Sequence, residues 1–598
     1  MTASGKIVRI GGASGAWGDS PMAIPQLLTA DVDYLIMDYL AEVTMSLLAR
    51  ARMKDLAAGF PPDFIQYMKA SLAELSRRGI KVVTNAGGVN PTGCRDALQA
   101  VAAELGLTLR IAVVTGDDVM PLLPDMRAAD VRDAHSGRQL PPEMLTANAY
   151  LGALPIRAAL DKGADIVITG RCADSALALG ILMHEFNWGP ADYDLLASGS
   201  LVGHVLECGP QATGGIHTDW EEVPGWENIG YPIAECRAEG SFVVTKPEGT
   251  GGLVAPQVIA EQILYEIGDP SAYMLPDVTA DFSHVTVTQA GPDRVLVSPA
   301  RGRPPVRTYK VSATWQDGYR AVATISIVGP DAVRKAERTA EALIARARAL
   351  FAARGITDFT TTYVEVLGSE SSYAGKSQAR TTREVLLRCV VQHPSRQALD
   401  LFAKEIGSIG LSFAPGTTGI FGGRPKPTSV VRLFTFFVEK ARMPLPVVTI
   451  DGDSFTVDIP AGSDLTEAPH MLGEVAPPST EPTVEVPLLR VAYARSGDKG
   501  DSSNIAIIAR RPEFLPIIRR EVTPEKMLTH FQGIVEGPVE RFEAPGLSAV
   551  NFLLQHALGG GGMASPRIDP QGKAFGQMAL EMMISVPAKW VEDGLVKN

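Results

Sequence analysis

Two stretches of this chain set a histidine, carboxylates and cations at spacings suited to moving a proton or holding an anion. In "GHVLECGPQATGGIHTD", His204 and Glu207 stand three apart, so on a helix they share a face and the carboxylate can orient the imidazole. Cys208, His217 and Asp219 follow. A buried thiol and an ordinary hydrogen-bonded histidine are the plainer readings of Cys208 and His217. The cluster has the composition of a metal site without a defined ligand spacing, so a divalent metal is left open and no cofactor is otherwise called for. In "ARSGDKGDSS", Arg495, Asp498, Lys499 and Asp501 are separated by Gly497 and Gly500, between apolar runs that read as strands. These charges can neutralise one another. Alternatively, glycine lets the backbone bend so that N–H groups and Lys499, with Arg495 and Asp498 beside them, converge on one anion.

Other loops add candidates. Asp117 and Asp118 in "TGDDV" follow a strand; one suits a helix cap, and the second is left over for acid–base work or a metal. In "TGRCADS", Asp174 can cap a helix, whereas Arg171 at the strand end offers a guanidinium fork to a carboxylate or phosphate. "KPEGTGG" runs Lys246 and the glycines Gly249, Gly251 and Gly252 into a helix start, a pattern suited to an anion. Arg424 and Lys426, fixed by flanking prolines, form one more anion contact. The glycines after the first strand are not spaced G-x-G-x-x-G, so a dinucleotide is not expected.

The elements that must position these residues are legible in outline. From about residue 6 to 190, short Val/Ile-rich runs such as "GIKVVTN" and "ADIVITGR" alternate with helical stretches. That is the pattern of a parallel sheet covered by helices, whose ligands sit outside the carboxyl ends of the strands. The fold class expected is α/β: a mostly parallel N-terminal sheet domain over 1–280, an α+β ferredoxin-like unit over 281–460 in β-α-β-β-α-β order, and a small C-terminal α+β domain over 484–598. The Pro/Glu/Thr-rich segment 461–483 reads as a linker.

With 598 residues the chain exceeds one core. Its net charge of −12 argues against a nucleic-acid partner, and its longest apolar runs are strand-sized, which argues against a membrane span. Five dispersed cysteines without a C-x-x-C pair fit reduced thiols, and a cytoplasmic homo-oligomer is expected.

The combination "VTGDDV", "DIVITGRCADSALALG", "GHVLECGPQATGG", "TKPEGTGG", "LYEIGDPSAYMLPDVTADF", "ARSGDKGDSSNIAIIAR" and "GPVERFEAPGLSAVNFLL" resembles the acyclic terpene utilisation A (AtuA) family over nearly the whole chain. The resemblance implies a large N-terminal domain, a small C-terminal ferredoxin-fold domain, and a bacterial catabolic setting in which citronellol and geraniol are degraded through branched acyl-CoA esters beside a biotin-dependent geranyl-CoA carboxylase. It implies no set of catalytic residues. The function expected is a lyase or hydro-lyase working by enolate chemistry on an anionic, carboxylate-bearing acyl compound, with acyl-CoA as the candidate form. His204 or Asp118 would move the proton, Glu207 would orient His204, and Arg171 and Lys246 would hold the anion. The alternative is a non-catalytic accessory or scaffold subunit of a carboxylase-type assembly.

Overall fold

The structure is a computed structural model that describes residues 5–464, 473, 475–477 and 481–596. Much of the expected linker 461–483 therefore lies outside the described residues. Five strands form the parallel heart of the molecule, in the spatial order Ile7–Gly12, Tyr34–Met37, Lys81–Thr84, Ile166–Thr169, Ile111–Thr115. Their sequences are near-continuous Val and Ile because helices cover both faces; all four residues of Tyr34–Met37 and of Ile166–Thr169 are buried. Helix Pro62–Arg78 shows the local logic. Proline opens it, Phe64, Met68, Leu72 and Leu75 form its buried stripe, and Gly79 closes it in the left-handed conformation at φ 68°.

Antiparallel strands widen this sheet to eleven. Ile233–Arg237, Phe242–Thr245, Arg294–Val297 and Val287–Gly291 add to one side, and Val447–Ile450 with Asp453–Thr456 to the other. The boundary expected at 281 cuts across this sheet, since Val287–Gly291 and Arg294–Val297 complete one edge and Val447–Ile450 with Asp453–Thr456 the other.

The middle unit has the β-α-β-β-α-β order of a ferredoxin-like plait. Its strands lie in the order Thr361–Leu367, Glu384–His393, Thr308–Val328, Thr428–Glu439, every pairing antiparallel. Thr308–Val328 is a single 21-residue strand with a register shift between Gln316 and Tyr319. Two runs that read as separate strands in the sequence are thus one bent ribbon. The strand Thr146–Ala149 crosses over from the N-terminal part to pair with it.

The C-terminal domain holds a four-stranded antiparallel sheet, Ala492–Lys499, Ser502–Ala509, Ala549–Leu554, Val539–Ala544, packed on its own apolar core. Among the described residues no helix is long and apolar enough to cross a membrane.

Candidate active site

The carboxyl edge of the parallel strands collects polar residues. Asp38, Asn85, Asp117 and Arg171 each follow one of four neighbouring strands within two residues, and all four are buried. Asn85 Nδ2 donates to Asp38 Oδ1 at 2.7 Å, and the Leu40 N–H donates to the same oxygen at 3.0 Å. Asp117 Oδ2 accepts the Arg171 backbone N–H at 2.9 Å and Asn148 Nδ2 at 2.8 Å. Arg171 Nη1 donates to the Leu40 carbonyl at 2.5 Å and to Asp174 Oδ1 at 3.0 Å. Its guanidinium lies 4.2 Å from the Tyr150 ring centroid, and Lys310 Nζ lies 4.8 Å from that centroid. The guanidinium is thus fixed by a fork of acceptors and an aromatic face.

Burial pushes both Asp38 and Asp117 up to about 6. For Asp38, the Arg171 charge and the Asn85 hydrogen bond offset part of that rise, and the Glu207 charge adds to it. The linkage has a definite sign. A carboxyl that holds its proton more tightly in the folded state lowers stability as pH climbs from the unfolded value toward the folded one. Chemical denaturation of wild type and Asp38→Asn at pH 4.5 and 7 should show wild type losing ground to the variant at the higher pH, by about 2 kcal/mol.

The next element brings acid–base groups to this rim. Helix Tyr193–Leu206 carries buried His204 near its end, and Glu207 follows it. Gly203 makes the approach to the Arg171 loop: a Cβ there would stand 2.5 Å from Ser175 Cα and from the Ser175 carbonyl. His204 Nε2 lies 3.1 Å from the Ile263 carbonyl, which can only accept, so Nε2 carries a hydrogen. His204 Nδ1 stands 3.0 Å from Glu207 Oε1, off the line of a good hydrogen bond. A lone pair at Nδ1 facing an ionised carboxylate would repel it, so the pair is stable only with one proton between the two groups. Burial raises Glu207 to about 7, with His204 pulling it back. Burial alone would lower His204, but the Glu207 charge wins and holds it above its usual value. Both groups are thus held toward their protonated forms, and they titrate as a pair.

Tyr273 closes over this pair. Its ring centroid is 5.8 Å from that of His204, and burial with the charges of Glu207, Asp174 and Glu266 raises its hydroxyl well above the ordinary range.

The C-terminal domain supplies the far wall. The charged stretch expected as a loop is strand almost throughout: Ala492–Lys499 and Ser502–Ala509 pair up to Lys499 and Ser502, leaving only Gly500 and Asp501 at the turn. Alternation then puts Arg495, Gly497 and Lys499 on one face, and that face meets the N-terminal domain. The Arg495 guanidinium lies 4.3 Å from the Tyr265 ring centroid and donates to Gln211 Oε1 at 2.5 Å. A Cβ on Gly497 would fall 2.5 Å from the Tyr265 ring. Lys499 Nζ sits 5.4 Å from the Tyr273 centroid. Asp498, on the other face, stands 3.6 Å from Lys573 Nζ, which also pairs with Glu266 at 3.2 Å. The two domains are stapled at a second place as well. Thr218 bonds both backbone groups of Ala494, Glu261 holds His217 at 2.9 Å, and Asp219 takes both arms of Arg510 at 2.6 Å. His217 and Asp219 are thus seam residues.

Several residues singled out in the sequence sit apart from this group. Asp118 is exposed and accepts the Met120 N–H at 2.9 Å, the capping role. Lys246 pairs with Asp293 at 3.0 Å and donates to the Thr250 carbonyl at 2.9 Å. The glycines beside it serve close packing: a Cβ on Gly251 would strike the Gly225 carbonyl at 2.0 Å and one on Gly252 the Thr213 carbonyl at 2.5 Å, while Gly249 faces open space. Arg424 and Lys426 are exposed on the loop between Thr417–Ile420 and Thr428–Glu439. Of the four residues expected to gather on one rim, Arg171 and His204 do so and Asp118 and Lys246 are engaged elsewhere. Among the described residues no three His, Cys, Asp or Glu side chains gather as a metal-ion site. Sequence reasoning missed Tyr150, Glu266, Tyr273 and Lys310, which reach the site from three separate segments.

No curated protein and no solved structure matches the chain. A family model for the AtuA ferredoxin-like domain matches residues 486–585. A second model, described as acyclic terpene utilisation family protein AtuA, matches residues 8–449, well over half the chain and the elements that carry Asp38, Asn85, Asp117, Arg171 and His204. The chain belongs to that family, which its name ties to the utilisation of acyclic terpenes.

Proposed function

We propose that the chain is a catabolic lyase or hydro-lyase that works by enolate chemistry on a carboxylate-bearing branched acyl compound, with an acyl-CoA thioester as the candidate form. The observation that carries this reading is the buried His204–Glu207 pair, 3.0 Å apart beside Tyr273, with Lys499 against the Tyr273 ring and Arg171 and Lys310 against that of Tyr150. Glu207, ionised against protonated His204, accepts a proton from the carbon alpha to the acyl carbonyl. The C–H electron pair becomes an enolate, and the cations hold its oxygen together with the substrate carboxylate. In dehydration the Cβ–O bond then breaks, a C=C bond forms, and the proton taken by the pair leaves with the hydroxyl as water. Cleavage of a Cα–Cβ bond would start instead at the β-hydroxyl: the pair takes its proton, the alkoxide collapses to a carbonyl, the Cα–Cβ electron pair becomes the enolate of the departing fragment, and the proton returns to that carbon.

The test does not depend on which product forms. The full chain is incubated in D2O with branched 3-hydroxyacyl thioesters and their free acids, and deuterium entering alpha to the carbonyl is followed by mass spectrometry. The thermal midpoint is followed in parallel, since a ligand at about 100 times its Kd adds roughly 2.7 kcal/mol. Exchange together with a raised midpoint is expected. A chain that neither exchanges protons nor shifts its midpoint with any of these compounds overturns the reading in favour of an accessory subunit.

A further inference from the structure

Arg424 and Lys426 take no part in the rim. Both stand exposed on the loop after Thr417–Ile420, and among the described residues neither side chain has a hydrogen bond or an ion pair. The chain holds no Asp or Glu between Glu405 and Glu439, so this loop is wholly cationic. Phe421 rides on it with 61% of its surface in water. The display is rigid. The Phe421 N–H donates to the Thr324 carbonyl at 2.9 Å, Gly422 and Gly423 turn the chain at φ 72°, and Pro425 and Pro427 fix the backbone around the two cations.

A second exposed cluster has the opposite sign. Trp220 and Trp226 keep 54% and 59% of their surface in water, although their rings meet edge to face at 5.9 Å. Glu221, Glu222 and Glu227 are exposed beside them, and among the described residues no cation pairs with any of the three. The chain has no Lys or Arg between Arg171 and Arg237, and Arg510, which reaches this segment, is spent on Asp219. This platform is rigid as well. Val223 is buried between the tryptophans, Gln26 Nε2 donates to Asn228 Oδ1 at 2.8 Å, and Gly225 turns at φ 63° so close to Gly251 that a Cβ would stand 2.9 Å from its Cα. Large rings held in water on a fixed base gain little within the chain, whereas tryptophan and arginine dominate the centres of protein interfaces.

We propose that the Phe421–Lys426 loop of one copy of this chain docks on the Trp220–Trp226 platform of a second copy. Two cations without an acid meet three carboxylates without a base, and each cluster offers the aromatic surface that the other leaves in water. Arg424 and Lys426 lie over the indole faces and against Glu221, Glu222 and Glu227, while Phe421 packs on the same rings. Both surfaces are already ordered in the single chain, so little conformational freedom is lost on docking. Because the two clusters differ, the contact forms twice across a two-fold axis or runs head to tail. The surface stands whether or not the His204–Glu207 pair does enolate chemistry.

Sedimentation velocity of the full chain over a range of concentrations tests this. Wild type should associate, and Trp226→Ser should associate about thirtyfold more weakly. Two charge-reversed variants sharpen the test, one carrying Arg424→Glu with Lys426→Glu and the other Glu221→Lys, Glu222→Lys and Glu227→Lys. All five positions are exposed, so circular dichroism of both variants should match wild type. Each variant alone sets like charges against each other and should sediment as a monomer. Mixed in equal amounts they should associate again, because the reversed loop then meets the reversed platform while the two unaltered surfaces meet each other. A wild type that stays monomeric at every concentration leaves the platform to some other partner and overturns the proposal. Association that survives either reversal, or a mixture no stronger than its parts, overturns it too.

Discussion

Glu207→Gln is expected to slow deuterium exchange alpha to the substrate carbonyl by about 10²–10⁴-fold while leaving the fold intact. The substitution is chosen for what it leaves in place. With Nε2–H committed to the Ile263 carbonyl, neutral His204 offers a lone pair at Nδ1, and a glutamine amide can donate to it. The contact between the two side chains then keeps a donor facing an acceptor, so stability has little reason to fall. What disappears is the ability to accept a proton. The His204 ring reports the same change independently of any substrate. In wild type the Glu207 charge holds it above its usual value against burial. Without that charge, burial alone acts, so the imidazole should titrate lower in the variant by NMR. A variant that exchanges substrate protons at the wild-type rate removes Glu207 from the chemistry. An unchanged His204 titration would remove the shared proton itself.

How much of this was readable from the sequence depended on the range of the interaction. The parallel strands were legible because burial on both faces writes itself locally as unbroken Val and Ile. The rule that ligands meet such sheets at the carboxyl ends then placed Asp117 and Arg171 on one rim. His204 and Glu207 were legible because three residues on a helix is a local distance. The charged hairpin misled because a two-residue turn between long strands needs only Gly500 and Asp501, and the residues before it alternate faces in a way that charge density conceals. "KPEGTGG" misled for a different reason. Glycines that let two backbones touch and glycines that bare N–H groups to an anion are written alike, and only the Gly225 and Thr213 carbonyls decide between them. Tyr150, Tyr273 and Lys310 carry no local signal, since their roles come from pairing between segments far apart in the chain.

The docking of the C-terminal domain yields the largest expected effect on stability. Asn551 Nδ2 donates to the Ile267 and Gly268 carbonyls at 2.7 Å and 2.6 Å. Asn504 Nδ2 donates to the Leu264 carbonyl at 2.8 Å, and its Oδ1 accepts the Glu266 N–H at 3.0 Å. Both asparagines are fully buried, and they join each other at 3.1 Å. They read the backbone of 264–268 as a neighbouring strand would, and they hold Glu266 in a left-handed conformation at φ 59° that a non-glycine residue leaves readily when released. Asn551→Leu keeps the volume and removes the donors. Two carbonyls and one Asn504 donor are left dry, at about 1–3 kcal/mol each, so a loss of about 3–9 kcal/mol is expected. The loss falls on the seam, because the core of the C-terminal domain is its own. Denaturation should therefore split into two steps, with amide exchange across 264–268 and across Arg495–Lys499 accelerating in the first. Lys499 leaves Tyr273 in that step, so ligand binding at the rim should fail while the N-terminal sheet still stands. One cooperative transition at the wild-type midpoint would mean that the asparagines do not hold the domains together, and that Lys499 reaches the site by some other support.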